Sequence, residues 1–296
     1  MLSLNTENLT PAQIQSYLNT AIAPRPICFA STVDKDGNIN LSPFSYFNVF
    51  SVNPPVCVFS PSRRVRDNTT KHTLENIKEV PECVVNIVNY DIVHQTSLSS
   101  VEYAKGINEF TKCGLTPILS QLVKPPRVAE SYMQLECVVK DIYPLGDGAG
   151  AGNLVIAEIK VIHINNSVLN EDGRIDQAKM DLVARLGGDL YCRVTRDSLF
   201  TVAKPNVKIG MGVDRLPHHI RNSNVLTGNC LGRLGNLEAF PSDADVAAYA
   251  QSPEIKDILD ATIGDSQTRE LQLHLKAKQL LAEERVMEAL MVLMIE

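Results

Sequence analysis

The stretch NINLSPFSYFNVFSVNPPVCVFSPSRR, residues 38–64, decides how this chain reads. It begins as a strand would, yet Pro43 interrupts it, serines and asparagines crowd it, Pro54 and Pro55 turn it, and Arg63 and Arg64 finish it. Proline cannot donate to a ladder, so Pro43 marks a place where sheet pairing is broken. Just upstream, RPICFASTV (25–33) reads as a strand and DKDG (34–37) as a tight turn, so the quoted stretch opens as the return arm of a β-hairpin, NINLSPFSYF.

Working outward, further strands are expected at PPVCVFS (54–60), CVVNIVN (83–89), MQLECVVKDIY (133–143) and NLVIAEIKVIHI (153–164). Short helices are expected at HTLENIKE (72–79) and VEYAKGINEF (101–110), and at AQIQSYL (12–18), where Thr10 serves as N-cap and Pro11 as first helical residue. Six strands parted by Gly, Pro and Asn turns indicate a mainly β protein, an antiparallel barrel or sandwich rather than a βαβ sheet.

A chain of 296 residues exceeds the usual single domain. Its composition changes after about residue 204, which divides it into 1–204 and an α-helical C-terminal extension, 205–296. SDADVAAYAQ (242–251) opens with a Ser242/Asp245 capping pair, SPEIKDILDATIG (252–264) is a further helix, and 265–294 is dominated by strong helix formers. Leu271, Leu275, Val286 and Leu290 would give that last segment an apolar stripe.

The formal charge of -6 argues against a nucleic-acid protein, so any anion site must be local. Seven cysteines without a CxxC pair, mostly inside apolar runs, read as buried thiols in a reducing compartment. The N-terminus lacks the pattern of a signal peptide and no apolar run reaches membrane-span length, so no membrane partner and a cytoplasmic location are expected.

Several motifs fail on inspection. GDGAGAG (146–152) contains a formal G-x-G-x-x-A, but a strand pattern follows where a phosphate-facing helix is required, so it reads as a hairpin loop. The six histidines show no metal-ligand spacing, and His218-His219 is expected to be solvated or capping, so no metal is expected. There is no nucleophile elbow or P-loop.

The opening stretch makes sense if it wraps a flat ligand with apolar faces, a polar edge and a phosphate, as flavin mononucleotide (FMN) has. SPSRRVRDNTTKHT (60–73) concentrates hydroxyls and cations in an otherwise acidic chain, the groups a phosphate dianion requires. The alternative is a solvated basic loop.

APRPICFASTVDKDGNINLSPFSYFNVFSVNPPVCVFS (23–60) resembles the signature of the flavin reductase-like, FMN-binding split-barrel family. KHTLENI, VVNIV, INEFTKCGL, VAESYMQLEC and GRIDQAKMDLVARLGGDLY extend the likeness, in order, to residue 191. The resemblance implies a six-stranded antiparallel Greek-key split barrel, a homodimer and FMN near the subunit interface. It implies that Asn40, Leu41, Ser42, Pro43, Phe44 and Ser45 border the isoalloxazine, with Phe47 and Asn48 beside them. Ser60, Ser62, Arg63, Lys71 and Thr73 would hold the phosphate, and Arg185 and Tyr191 of the RLGGDLY segment would line the cavity or shape a turn. His72 departs from the Lys-Asp-Thr common in the family.

The resemblance implies an oxidoreductase that passes hydride from NADH or NADPH to the flavin, with no catalytic side chain, and then electrons to a small acceptor or an acceptor protein. Arg25 is a candidate for proximity to the ring. The rival reading is an FMN-binding electron-transfer protein, flavoredoxin-like, for which nicotinamide is never a substrate; a third is a barrel that has lost its flavin. The extension 205–296 would cover the active-site mouth or the dimer surface, or simply enlarge the core.

Overall fold

In the computed structural model, which describes residues 1–204 and 208–295, the quoted stretch divides into three strands rather than the two expected. Helix α1 (Pro11–Ala21) comes first, opened by a capping box in which Thr10 accepts from the Gln13 N–H and the Gln13 side chain accepts from the Thr10 N–H. Strands β1 (Arg25–Pro26) and β2 (Cys28–Val33) follow, then β3 (Ile39–Phe44), β4 (Phe47–Val52) and β5 (Pro55–Phe59). The chain continues through α2 (His72–Glu79), β6 (Glu82–Ile87), α3 (Val93–Leu98), α4 (Glu109–Cys113), β7 (Pro117–Ile118) and β8 (Arg127–Val128). The long pair β9 (Met133–Pro144) and β10 (Asn153–Ile164) precedes β11 (Val183–Arg185) and β12 (Tyr191–Arg193).

One antiparallel sheet runs in the order β3-β2-β6-β9-β10-β5-β4. Its two ends, β3 and β4, are consecutive in the chain and joined only through Ser45 and Tyr46. Such a link reaches about 10 Å, so the sheet must curl until its ends nearly meet. The result is a barrel with no ladder between β3 and β4. Register shifts between Ile156 and Ala157, and again between Ile159 and Val161, supply the bend in β10.

The sheet has seven strands, not the expected six. The extra one is β4, which the sequence hides because Val49, Phe50 and Val52 face solvent and leave no clean alternation. The barrel interior is filled by Cys28, Ala30, Phe44, Phe47, Cys57, Phe59, Cys137 and neighbours, with Leu74 and Ile77 of α2 among them. All seven cysteines are free, and five are buried. Residues 146–152 form the β9–β10 hairpin loop.

The helix expected over 101–110 is absent. Gly106 takes a φ of 86°, and Asn108 caps a helix that starts only at Glu109, accepting from the Phe110 N–H at 3.0 Å.

The chain separates into two compact units, Met1–Phe200 and Thr201–Glu296. Within the second lie α5 (His218–Arg221), α6 (Gly228–Gly235), α7 (Asp243–Ala250), α8 (Pro253–Ala261), α9 (Ser266–Ala282) and α10 (Val286–Leu293). Its core collects Leu216, Ile220, Leu234, Ile255, Ala277, Leu280 and Leu290. The apolar stripe expected for 265–294 is corrected in part. Leu271 and Leu275 are exposed, and the buried face of α9 is Leu273, Ala277, Leu280 and Leu281. The segment also breaks in two: Glu284 adopts φ 64°, Arg285 N–H donates to Leu280 O and Glu284 N–H to Leu281 O, which is a Schellman stop without glycine. Among the described residues no helix is long and apolar enough to cross a membrane.

Candidate functional site

Strand β3 lies at one end of the sheet, so one of its backbone edges has no strand partner. On that edge Leu41 N–H donates to Glu109 Oε2 at 2.9 Å, and Pro43, two residues on, carries no N–H at all. Glu109 reaches back a second time, accepting from Asn40 Nδ2 at 2.9 Å, while Asn40 Oδ1 accepts from the Thr73 hydroxyl at 2.7 Å. One buried relay therefore ties α4 to β3 and β3 to α2. Burial raises the Glu109 carboxyl above the ordinary glutamate range, and the donors from Leu41 and Asn40 oppose that only in part.

Beyond Pro43 opens a cavity of about 830 Å³, within the range of small-molecule and cofactor sites. Pro43, Phe44 and Ser45 line one side, His94, Thr96 and Ser97 of α3 another. The third wall is made by β11 and β12, where the Arg185 guanidinium sits 4.4 Å from the Tyr191 ring centre. Arg193 stacks on Tyr90 at 3.6 Å and is held by Asp181 in a two-pronged pair at 2.6 and 2.7 Å. Arg185 donates to Gly188 O at 2.6 Å and makes no ion pair among the described residues.

Pro43 and Ser100 also line an adjoining narrow cleft, with Asn40, Ser42, Arg64, Lys71, His72, Ser99, Glu102, Tyr103 and Glu109. Arg64 is fixed there by Glu102 at 2.9 Å and by the Thr69 hydroxyl at 2.8 Å, and Arg66 joins Glu102 at 2.7 Å. Lys71 has no such partner. Its ammonium lies 5.9 Å over the Phe44 ring and makes no ion pair among the described residues. Burial depresses its pKa, and the charge of Arg64 depresses it further.

The residues singled out from sequence thus separate into groups. Asn40, Ser42, Pro43, Phe44, Ser45, Lys71, Arg185 and Tyr191 meet around the cavity and its cleft, while Thr73 stands behind them, bonded to Asn40 in the relay. Leu41 and Phe47 point into apolar clusters, and the exposed Asn48 bonds to the Val49 N–H. Ser60, Ser62 and Arg63 line neither space: the Ser60 hydroxyl accepts from Asn153 N–H at 3.1 Å, and Arg63 donates to Asn68 at 2.6 Å.

Arg25 donates to Asn19 O, Ile22 O and Leu186 O and to the Ser45 hydroxyl, so its charge closes the C-terminus of α1 and braces the bend after β3. Sequence reasoning missed Glu109, Arg193, Tyr90 and His94. Only Glu109 left a trace, in the family-like run INEFTKCGL.

The family model for the flavin reductase like domain matches residues 20–179, more than half of the chain, and the chain belongs to that family. A protein of Aquifex aeolicus is 36% identical over 172 residues, 58% of this chain and 85% of its own length. The crystal structure of nitrilotriacetate monooxygenase component B from Bacillus cereus is similar at TM-score 0.63 and 30% identity, covering 68% of this chain and 98% of that one. A Shewanella frigidimarina protein with a split barrel domain is similar at TM-score 0.58 and 26% identity, covering 69% of this chain and all of that one. The open barrel is thus of the split-barrel kind.

Proposed function

We propose that the barrel unit holds FMN and acts as a flavin reductase, taking hydride from NADH or NADPH. The observation that carries this reading is Lys71, a half-buried cation that makes no ion pair among the described residues, beside a cavity of cofactor size. A buried ammonium is costly unless paired, and a phosphate in the cleft would pair it. The walls suit the rest of the molecule: Pro43 and Phe44 offer apolar surface, and the guanidinium planes of Arg185 and Arg193 match flat aromatic ligands.

Lys71, Arg64 and the Ser42 hydroxyl would hold the phosphate, and Pro43, Phe44, Ser45, Arg185 and Tyr191 would border the ring. Arg64 is already engaged by Glu102, so the phosphate contact rests chiefly on Lys71. When bound, the flavin supplies the hydride-accepting and electron-donating chemistry. The chain contributes position, exclusion of water and the positive charge of Arg185, and no side-chain acid or base is needed.

The exposed apolar row on β4, with Phe50 at 70% and Val52 at 86% exposure, supports a homodimer built on that strand.

The test is anaerobic mixing of the flavin-loaded protein with NADH and, separately, NADPH. Loss of the flavin's visible colour within a catalytic time supports the reductase. Retention of colour with both nucleotides favours an electron-transfer protein fed by another donor.

A further inference from the structure

The helical unit contains a cavity of about 310 Å³ that owes nothing to the barrel site. It is lined by His219, Ser266, Arg269, Glu270, Leu273, His274, Leu293 and Ile295. Arg269 Nε is shielded from solvent and has no hydrogen-bond partner, one of two such side-chain atoms among the described residues. Buried donors without acceptors are rare in native proteins and call for an explanation. Arg269 also forms no ion pair among the described residues.

The two imidazoles are oriented by neighbours. The Ser223 hydroxyl oxygen accepts from the N–H groups of Val225 and Leu226, so its hydrogen is free to donate to His274 Nδ1 at 2.7 Å. His274 is buried, which depresses its pKa and favours the neutral ring with the proton on Nε2. His219 Nε2 donates to Leu293 O at 3.1 Å. The ring centres of His219 and His274 are 6.1 Å apart. The cavity therefore offers an arginine donor and an imidazole donor above an apolar floor of Leu273, Leu293 and Ile295.

We propose that this cavity binds a small organic monocarboxylate with an apolar body. A carboxylate accepts from the terminal N–H groups of the Arg269 guanidinium, which have no hydrogen-bond partner among the described residues, and from His274 Nε2–H, and its apolar part covers the leucine and isoleucine floor. Glu270 on the same wall would repel a dianion, which disfavours inorganic phosphate.

The experiment is calorimetric titration of the full chain with benzoate, its neutral analogue benzamide and inorganic phosphate. Saturable one-to-one binding of benzoate, with no binding of benzamide or phosphate, is expected. Loss of a charge-assisted hydrogen bond weakens binding by about tenfold or more, so Arg269→Met should show at least that. Arg269→Lys, which keeps the charge and the stem but not the planar fork of guanidinium donors, should weaken it as well, and thermal melts verify that both variants fold. Lys71→Met, in the barrel, should leave benzoate binding unchanged. Absence of saturable binding, wild-type affinity in both Arg269 variants, or binding lost in Lys71→Met and retained in Arg269→Met would overturn the proposal.

Discussion

Glu109 and Asn40, 69 residues apart, meet at 2.9 Å beneath the candidate cavity, and the same carboxylate accepts the Leu41 N–H on the free edge of β3. That contact replaces a missing strand neighbour with a side chain. It lets β3 end the sheet while its edge stays ordered beside Pro43.

Glu109→Ala should therefore destabilise the protein. Two buried donors lose their acceptor, at about 1–3 kcal/mol for each orphaned group. Chemical denaturation checks this, and a change below about 1 kcal/mol would show that water replaces the carboxylate without cost.

A second buried carboxylate predicts a pH dependence. Glu136 is fully buried and accepts from the N–H groups of Gln121, Leu122 and Val123 and from His163. Burial alone would raise its pKa, but these donors together hold it below the ordinary glutamate range. A carboxyl depressed in the folded state binds fewer protons there than in the unfolded chain, so its stabilisation is complete above the ordinary glutamate pKa and fades as pH falls below it. Melting temperature should drop through that acidic window, and Glu136→Gln should flatten the slope. An unchanged slope in the variant would place the acid sensitivity elsewhere.

Gly187 faces α1 so closely that an added Cβ would stand 2.4 Å from the Thr20 hydroxyl oxygen and 3.0 Å from the Thr20 Cα. Gly187→Ala should cost about 1–3 kcal/mol, the usual penalty for overpacking, and should loosen the turn that presents Arg185 and Tyr191. A melt equal to wild type would show that α1 yields.

The proposed homodimer can be probed at β4. Phe50→Arg and Val52→Glu put charge on an exposed apolar row, so sedimentation should move from a dimer to a monomer while the fold persists. Unaltered sedimentation would remove β4 from the interface.

Much of the barrel was legible because alternation and turn residues are local signals. The β2–β3 hairpin, helix α2 at 72–79 and the β9–β10 hairpin with its glycine loop all lie where periodicity puts them. What stayed hidden was set by other rules. Strand β4 exposes its apolar residues, and α9 stops at Glu284, a left-handed position that glycine usually advertises. At the site, the family-like run pointed to residues 40–48, but the partners that organise them arrive from distant segments: Glu109 to Asn40, Glu102 to Arg64, Asp181 to Arg193. Hydroxyls and cations cluster around Ser60 and Arg63, but which of them face the cleft is set by contacts with distant or irregular segments, and these two bond to Asn153 and Asn68.

The central claim is that Lys71 awaits the phosphate of a flavin, and comparing FMN with riboflavin, which lacks only that group, tests it most directly. In fluorescence titrations the wild type should bind FMN more tightly by about 10- to 100-fold, the equivalent of 1.5–3 kcal/mol for a charge-assisted contact, and Lys71→Met should erase most of that preference. Equal affinity of the wild type for the two flavins, or a preference that survives in Lys71→Met, would contradict it.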